Sequence, residues 1–191
     1  MKNKQAAMIK QLSNRELFLN LLVTQIIILI TAGILGFFLH IQSASFLSLF
    51  HIRPSQLLIG LTAGIALVLV DLYMMKRVPD SWQDDGGVNE RIFKSLSYPM
   101  IVVVALIVAV TEEILFRGVL QVNFGLIWAS LIFALVHYRY LFNGFLFISI
   151  VMVSFFIGFI FEITGSLTAT IVMHFVIDCI LGFLVKAKGK Q

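Results

Sequence analysis

The chain has 191 residues, 60% of them hydrophobic and 13% charged, with eighteen phenylalanines, three prolines and one cysteine. A soluble domain is nearer half apolar and a quarter charged, so this composition excludes an ordinary soluble globule and points to a polytopic membrane protein: a single membrane domain (1–191), all-α, with no sizeable soluble part. The net charge of +4 does not indicate nucleic acid, because Lys and Arg stand at the ends of apolar blocks as topology signals do, and the lone thiol, Cys179, cannot make an internal disulfide.

Residues 1–16 are polar and basic. The apolar block Leu17–Leu39 that follows is too long for a signal-peptide core and reads as a retained first span. His40–Gln56 is a connector, and Leu57–Met75 a second span. Lys76–Ser97 is the one substantial polar loop, with turn formers at Pro79-Asp80 and Asp84-Asp85-Gly86-Gly87 and a short interfacial helix expected over Val88–Ser97. A third span, Tyr98–Leu120, leads through a tight turn at Gln121–Gly125 to a short fourth one, Leu126–Tyr138. Leu141–Ile163 and Leu167–Val185 complete about six spans. All Lys and Arg except Arg53 and Arg117 fall on one side of this arrangement, among them Lys2, Lys4, Lys10, Arg15, Lys76, Arg77, Arg91, Lys94, Arg139, Lys186, Lys188 and Lys190. That bias predicts an even number of spans with both termini cytoplasmic.

Residues 111–118 read Thr-Glu-Glu-Ile-Leu-Phe-Arg-Gly inside the third apolar block. One acidic residue at a transmembrane helix centre costs roughly 2.5–3.5 kcal/mol, so two in succession call for a use. Glu113 and Arg117 are four apart and share a helical face, which predicts a charge-assisted pair. Glu112 is rotated about 100° from Glu113 and is free to face another neighbour. His137 ends the fourth span, and His174 and Asp178 share one face of the sixth. Three spans thus each place ionisable groups in lipid, and a common cavity is the economical account. Such groups serve as general acids and bases and also as zinc ligands. Counted from a turn near Val122, Glu112 and His137 differ in height by roughly 7 Å, a mismatch that tilt would have to absorb. Asp71, Glu162, His40 and His51 read as interfacial or structural, and Tyr138, Arg139 and Tyr140 as an interfacial belt.

Glu-Glu-Ile-Leu-Phe-Arg-Gly (112–118), Phe-x-x-x-His (133–137) and His-x-x-x-Asp (174–178), in this order, resemble the motifs of the CAAX-protease and bacteriocin-processing family. This group of intramembrane proteases includes the type II CAAX prenyl endopeptidases and the Abi proteins. The resemblance covers about residues 95–185, a CAAX-protease/Abi-like catalytic core. It implies a helical bundle that hydrolyses peptide bonds of membrane-associated proteins or peptides in a cavity open to the cytosol of a bacterial cell membrane. Glu112 and His137 would activate water, His174 and Asp178 would complete the site, and Glu113, Arg117 and Phe133 would support it. It leaves two forms of the centre open: a zinc ion held by Glu112, His137, His174 and Asp178, or a metal-free, glutamate-dependent one. The last motif ends in Asp178 where an Asn would be a ready hydrogen-bond donor. An ionised Asp repels an oxyanion, so Asp178 is held in its acid form, orients His174 or binds a metal. The alternatives to an enzyme are a non-enzymatic membrane peptide-binding or bacteriocin-immunity protein, and a small carrier, for which the chain has no paired-repeat signature.

Overall fold

A computed structural model describes residues 11–79, 82–83 and 86–188. The basic residues Lys2, Lys4, Lys10 and Lys190, and the turn expected at Asp80 and Asp84-Asp85, lie outside the described residues. The architecture is all-helical: α1 (Asn14–Phe38), α2 (Ser43–Ser48), α3 (Pro54–Met75), α4 (Val88–Ser95), α5 (Tyr98–Glu113), a π-helical stretch (Ile114–Gln121), α6 (Val122–Val136), a 3₁₀ turn (Tyr138–Phe142), α7 (Gly144–Thr164) and α8 (Leu167–Lys188). Starts and stops follow local chemistry. Ser13 and Glu16 form a reciprocal capping box on α1. Pro residues occupy the first turns of α3 and α5. Asn143 caps α7, whose far end closes on Gly165 at φ 59°.

Among the described residues five helical runs are long and apolar enough to cross a membrane, and the chain is a multi-pass membrane protein. Six were expected, and the difference lies in the third and fourth. They form one helical run, Tyr98–Val136, broken only at Gly125, whose φ of 80° and ψ of 171° are non-helical. The predicted tight turn at Gln121–Gly125 is therefore a single-residue reversal preceded by continuous helix. The two arms fold back on each other: Phe116 and Phe133 stack edge to face with ring centroids 4.8 Å apart. The returning arm ends at Val136, too short at 1.5 Å per residue to cross a ~30 Å hydrocarbon core. A reversal at Gly125 puts Glu112 thirteen residues before it and His137 twelve after it, so the height mismatch expected from a turn at Val122 disappears.

One end of the bundle collects the basic groups. Arg91 of α4 bonds the Leu12 carbonyl and, at 3.2 Å, Asn14. Lys186 reaches the Lys94 carbonyl at 3.2 Å, and Asn89 donates to the Tyr140 hydroxyl at 3.0 Å. The described residues nearest each terminus are thus at the same end. At the other end Leu167 N–H donates to the Leu49 carbonyl at 2.9 Å, and Phe46 of α2 lies against Gly118.

Interhelical contact is closest where small residues meet, since lipid supplies no hydrophobic force to drive helices together. Gly60 and Gly64 of α3 face the Ala169 and Met173 carbonyls of α8. A Cβ at Gly64 would stand 2.9 Å from the Met173 carbonyl, and one at Gly60 would overlap that of Ala169. Gly60→Val should therefore force α3 off α8 and destabilise the bundle by about 1–3 kcal/mol or more, read as a lower thermal unfolding midpoint in detergent. An unchanged midpoint would show that this contact does not hold the helices.

Candidate active site

The site assembles where the π-helical stretch meets α6, α7 and α8. π-helical turns are rare and concentrate at functional positions. This one carries Arg117, 1% exposed, directly after the two glutamates. Arg117 donates from Nη1 to Glu113 Oε1 at 3.2 Å. From Nη2 it donates to the Ser154 carbonyl at 2.9 Å and the Ser154 hydroxyl at 3.2 Å. Its guanidinium also lies over the Phe133 ring, 4.9 Å from the centroid. The fully buried Glu113–Arg117 pair expected from the four-residue spacing is present.

Glu113 Oε1 has a second partner, His174 Nδ1, at 2.8 Å. An ionised carboxylate oxygen that accepts a hydrogen bond from a guanidinium can only accept, so Nδ1 carries the hydrogen and Nε2 is left facing the opposite way. There it meets Asp178 Oδ2 at 3.6 Å and Glu112 Oε2 at 3.9 Å. The rotation between Glu112 and Glu113 had suggested separate neighbours. Instead the two carboxylates approach the same imidazole from its two nitrogens. Glu113 is sealed, Glu112 is 7% exposed, and the Asp178 side chain is 28% exposed, so the open side of the cluster is the Nε2 side.

His137 sits at the end of the short returning arm. Its Nδ1 is 2.8 Å from the Phe133 carbonyl, which can only accept, so this imidazole also carries its hydrogen on Nδ1 and presents Nε2. The Phe133 ring contacts both histidines, with centroids 4.6 Å from His137 and 6.2 Å from His174. The two imidazoles can be no farther apart than the sum of those distances. Phe133 is the packing plate under the cluster, touching Arg117, His137 and His174.

Among the described residues no group of three or more His, Cys, Asp or Glu side chains converges on a point that could hold a metal. Glu112, His137, His174 and Asp178, the set expected to hold zinc, stand around His174 and Phe133. Nδ1 of each histidine is engaged by a carboxylate or a carbonyl, and Glu112 and Asp178 contact His174 itself. Both histidines keep Nε2 free while Nδ1 is held, the form a metal-ligating imidazole takes, although the four side chains do not converge on one point here.

Sequence reasoning missed four interactions. Ser154, fully buried, anchors Arg117 from α7; its only signal was a Ser, one of two with Ser149, in a long apolar run. Ser130 also donates to the Ser154 carbonyl, at 3.4 Å. Thr111, next to Glu112, hydrogen-bonds Gln25 of α1, and both are buried. Glu162, read as interfacial or structural, accepts from Gln121 at 2.8 Å.

The fold and the site define a multi-pass α-helical membrane protein with an acid–imidazole cluster buried between its spans. Residues 94–180 match the family described as type II CAAX prenyl endopeptidase Rce1-like. The chain is also 38% identical over 165 residues to the uncharacterized protein YpbD of Bacillus subtilis (strain 168), covering 86% of this chain and 87% of that one. No solved structure matches it. The chain belongs to the Rce1-like family of CAAX-type membrane endopeptidases.

Proposed function

We propose that the protein is an intramembrane endopeptidase of a bacterial cell membrane, with both termini cytoplasmic and residues 95–185 as its catalytic core. Its substrates are membrane-associated proteins or peptides. The observation that carries this reading is the division of labour at His174, where one glutamate is sealed and charge-paired and the other is left at the open nitrogen. Glu112 takes a proton from water as the water oxygen bonds to the scissile carbonyl carbon. That proton passes to the leaving amide nitrogen as the C–N bond breaks, giving a carboxylic acid and an amine. His174 Nε2, between Glu112 and Asp178, exchanges protons with Glu112, and His137 Nε2 offers a second acceptor for water. Asp178 orients and balances His174. Glu113, Arg117 and Ser154 are positioning residues, holding the imidazole in the tautomer that aims Nε2 at the reaction. Apolar walls of Phe116, Phe133 and Leu115 keep bulk water from screening the developing charge. Basic residues gathered at one end support a cytoplasmic assignment of that end.

The test is cleavage of a panel of synthetic transmembrane peptides by the full chain in proteoliposomes, with and without a chelator, alongside His174→Ala. Cleavage by wild type in chelator, and none by His174→Ala, is the expected result. Loss of cleavage in chelator with recovery on zinc would replace this arrangement by one in which both Nε2 atoms turn onto an ion. No cleavage under any condition, with peptide binding retained, would favour a peptide-binding or immunity protein.

A further inference from the structure

We propose that the cleft between the basic halves of α3 and α7 is a docking site for the substrate's membrane segment, and that Asp71 selects a segment carrying a Lys or Arg at its cytoplasmic boundary. This rests on the endopeptidase reading and adds to it a substrate class and a residue that recognises it.

In their outer halves α3 and α7 join one packed cluster with α8, which takes in Ile59 and Ala63 of α3 and Phe156, Ile157 and Ile160 of α7. Towards the basic end a gap lies between them. The gap has a volume of about 700 Å³. Its lining comes from the last turns of α3, the first turns of α7 and the segments beside them, with Met74, Trp82, Phe142, Ile148 and Met152 as its apolar walls. Trp82, Ile148 and Met152 are more than half exposed, so the gap opens sideways, where lipid would be. It has room for several side chains and not for a whole helix, so an occupant lays one face into it.

Asp71 lies in this wall, half-buried, four residues before the end of α3. Among the described residues no other Asp, Glu, Lys, Arg or His lines the gap, and no hydrogen-bonding or ionic partner reaches the carboxylate. Arg77, a turn and a half away, lies instead over the Tyr73 ring at 4.8 Å. A lone carboxylate facing hydrocarbon is costly, and an ammonium or guanidinium arriving beside it offsets that cost. Depth says where such a cation comes from. Asp71 is about 6 Å below the end of its helix at 1.5 Å per residue, on the same end as Arg91, Lys94 and Lys186. Membrane spans carry their own Lys and Arg at the cytoplasmic boundary, and those long side chains reach along an apolar surface to a polar group. A second span beside α3 therefore brings its cation to the level of Asp71. The gap and the candidate site share α7: Val153 lines the gap, and the next residue, Ser154, holds Arg117.

The probe is a synthetic twenty-residue Leu/Ala span bearing either Lys or Gln at one boundary, with a photo-crosslinker beside that position. It is bound to the full chain carrying Glu112→Gln in phosphatidylcholine–phosphatidylglycerol vesicles, so that binding is read without turnover. The expected result is a preference for the Lys peptide of about tenfold. Crosslinks should map to α3 and α7. Asp71→Asn should abolish the preference, and Asp71→Lys should transfer it to a peptide bearing Glu. Equal binding of the two peptides, or a preference that survives Asp71→Asn, overturns the proposal. So do crosslinks from one copy of the chain to another at the gap, or displacement of the peptide by phosphatidylethanolamine, which would assign the gap to a dimer contact or a lipid amine. Failure of the underlying reading is separable. Asp71-dependent binding with no cleavage by the wild-type chain sinks the peptidase and leaves the docking site, whereas cleavage with no dependence on Asp71 does the reverse.

Discussion

Glu112→Gln is expected to lower the initial rate of peptide cleavage by roughly 10²–10⁴-fold, the range typical of a positioned general base, while leaving thermal unfolding in detergent nearly unchanged. Gln has the size and shape of Glu, so it keeps the packing of a side chain that is 7% exposed. What it loses is the ability to take a proton from water. Glu112 is also not structurally committed as its neighbour is: its nearest charged contact is His174 Nε2 at 3.9 Å, beyond a hydrogen bond. A Glu112→Gln chain that cleaves within a few-fold of wild type would show that the base lies elsewhere, with His137 the next candidate.

The adjacent carboxylate should fail differently. Removing the guanidinium by Arg117→Met leaves Glu113, with no exposed surface, as a buried charge whose remaining partner is an imidazole. Breaking one side of a buried pair costs about 3–5 kcal/mol. The expected outcome is a large drop in unfolding midpoint and in the amount of folded protein recovered from membranes. Ser154 would lose the guanidinium from its carbonyl and its hydroxyl at the same time. The double variant Glu113→Gln/Arg117→Met removes both charges and should regain much of that stability, because a buried ion pair can be replaced by neutral groups at little cost. It should not regain cleavage, since Gln can accept or donate and no longer dictates which nitrogen of His174 carries the hydrogen. Midpoints that fall equally for the single and double variants would mean that the pair does not act as a unit. Recovery of cleavage along with stability would remove Glu113 and Arg117 from the positioning role.

Most of the fold was legible from hydropathy. Helices α1, α3, α7 and α8 lie within a few residues of the predicted spans because a backbone in lipid must satisfy its own hydrogen bonds within the segment. Ser13, Pro54, Asn143 and Gly165 mark their ends. The pairing of Glu113 with Arg117, and of His174 with Asp178, followed from helical period alone. The shape of the third and fourth spans did not. Asn123-Phe124-Gly125 suggests a turn, yet only the backbone at Gly125 shows that the helix runs through Gln121 and reverses at one residue.

What the amino-acid order determined by itself is that the chain is a helical membrane protein with acids and imidazoles on three of its membrane segments. Both follow from local properties, the apolar length of each run and the spacing of residues within it. Tertiary structure decided which groups meet: Ser154 under Arg117, Gln25 against Thr111, both glutamates around one imidazole, and a gap beside Asp71 between two helices. Helix association in lipid has no burial gradient to read from hydropathy. It is settled by close approach at small residues such as Gly60 and Gly64 and by mutual satisfaction of a few polar side chains, which belong to pairs of helices and not to either one.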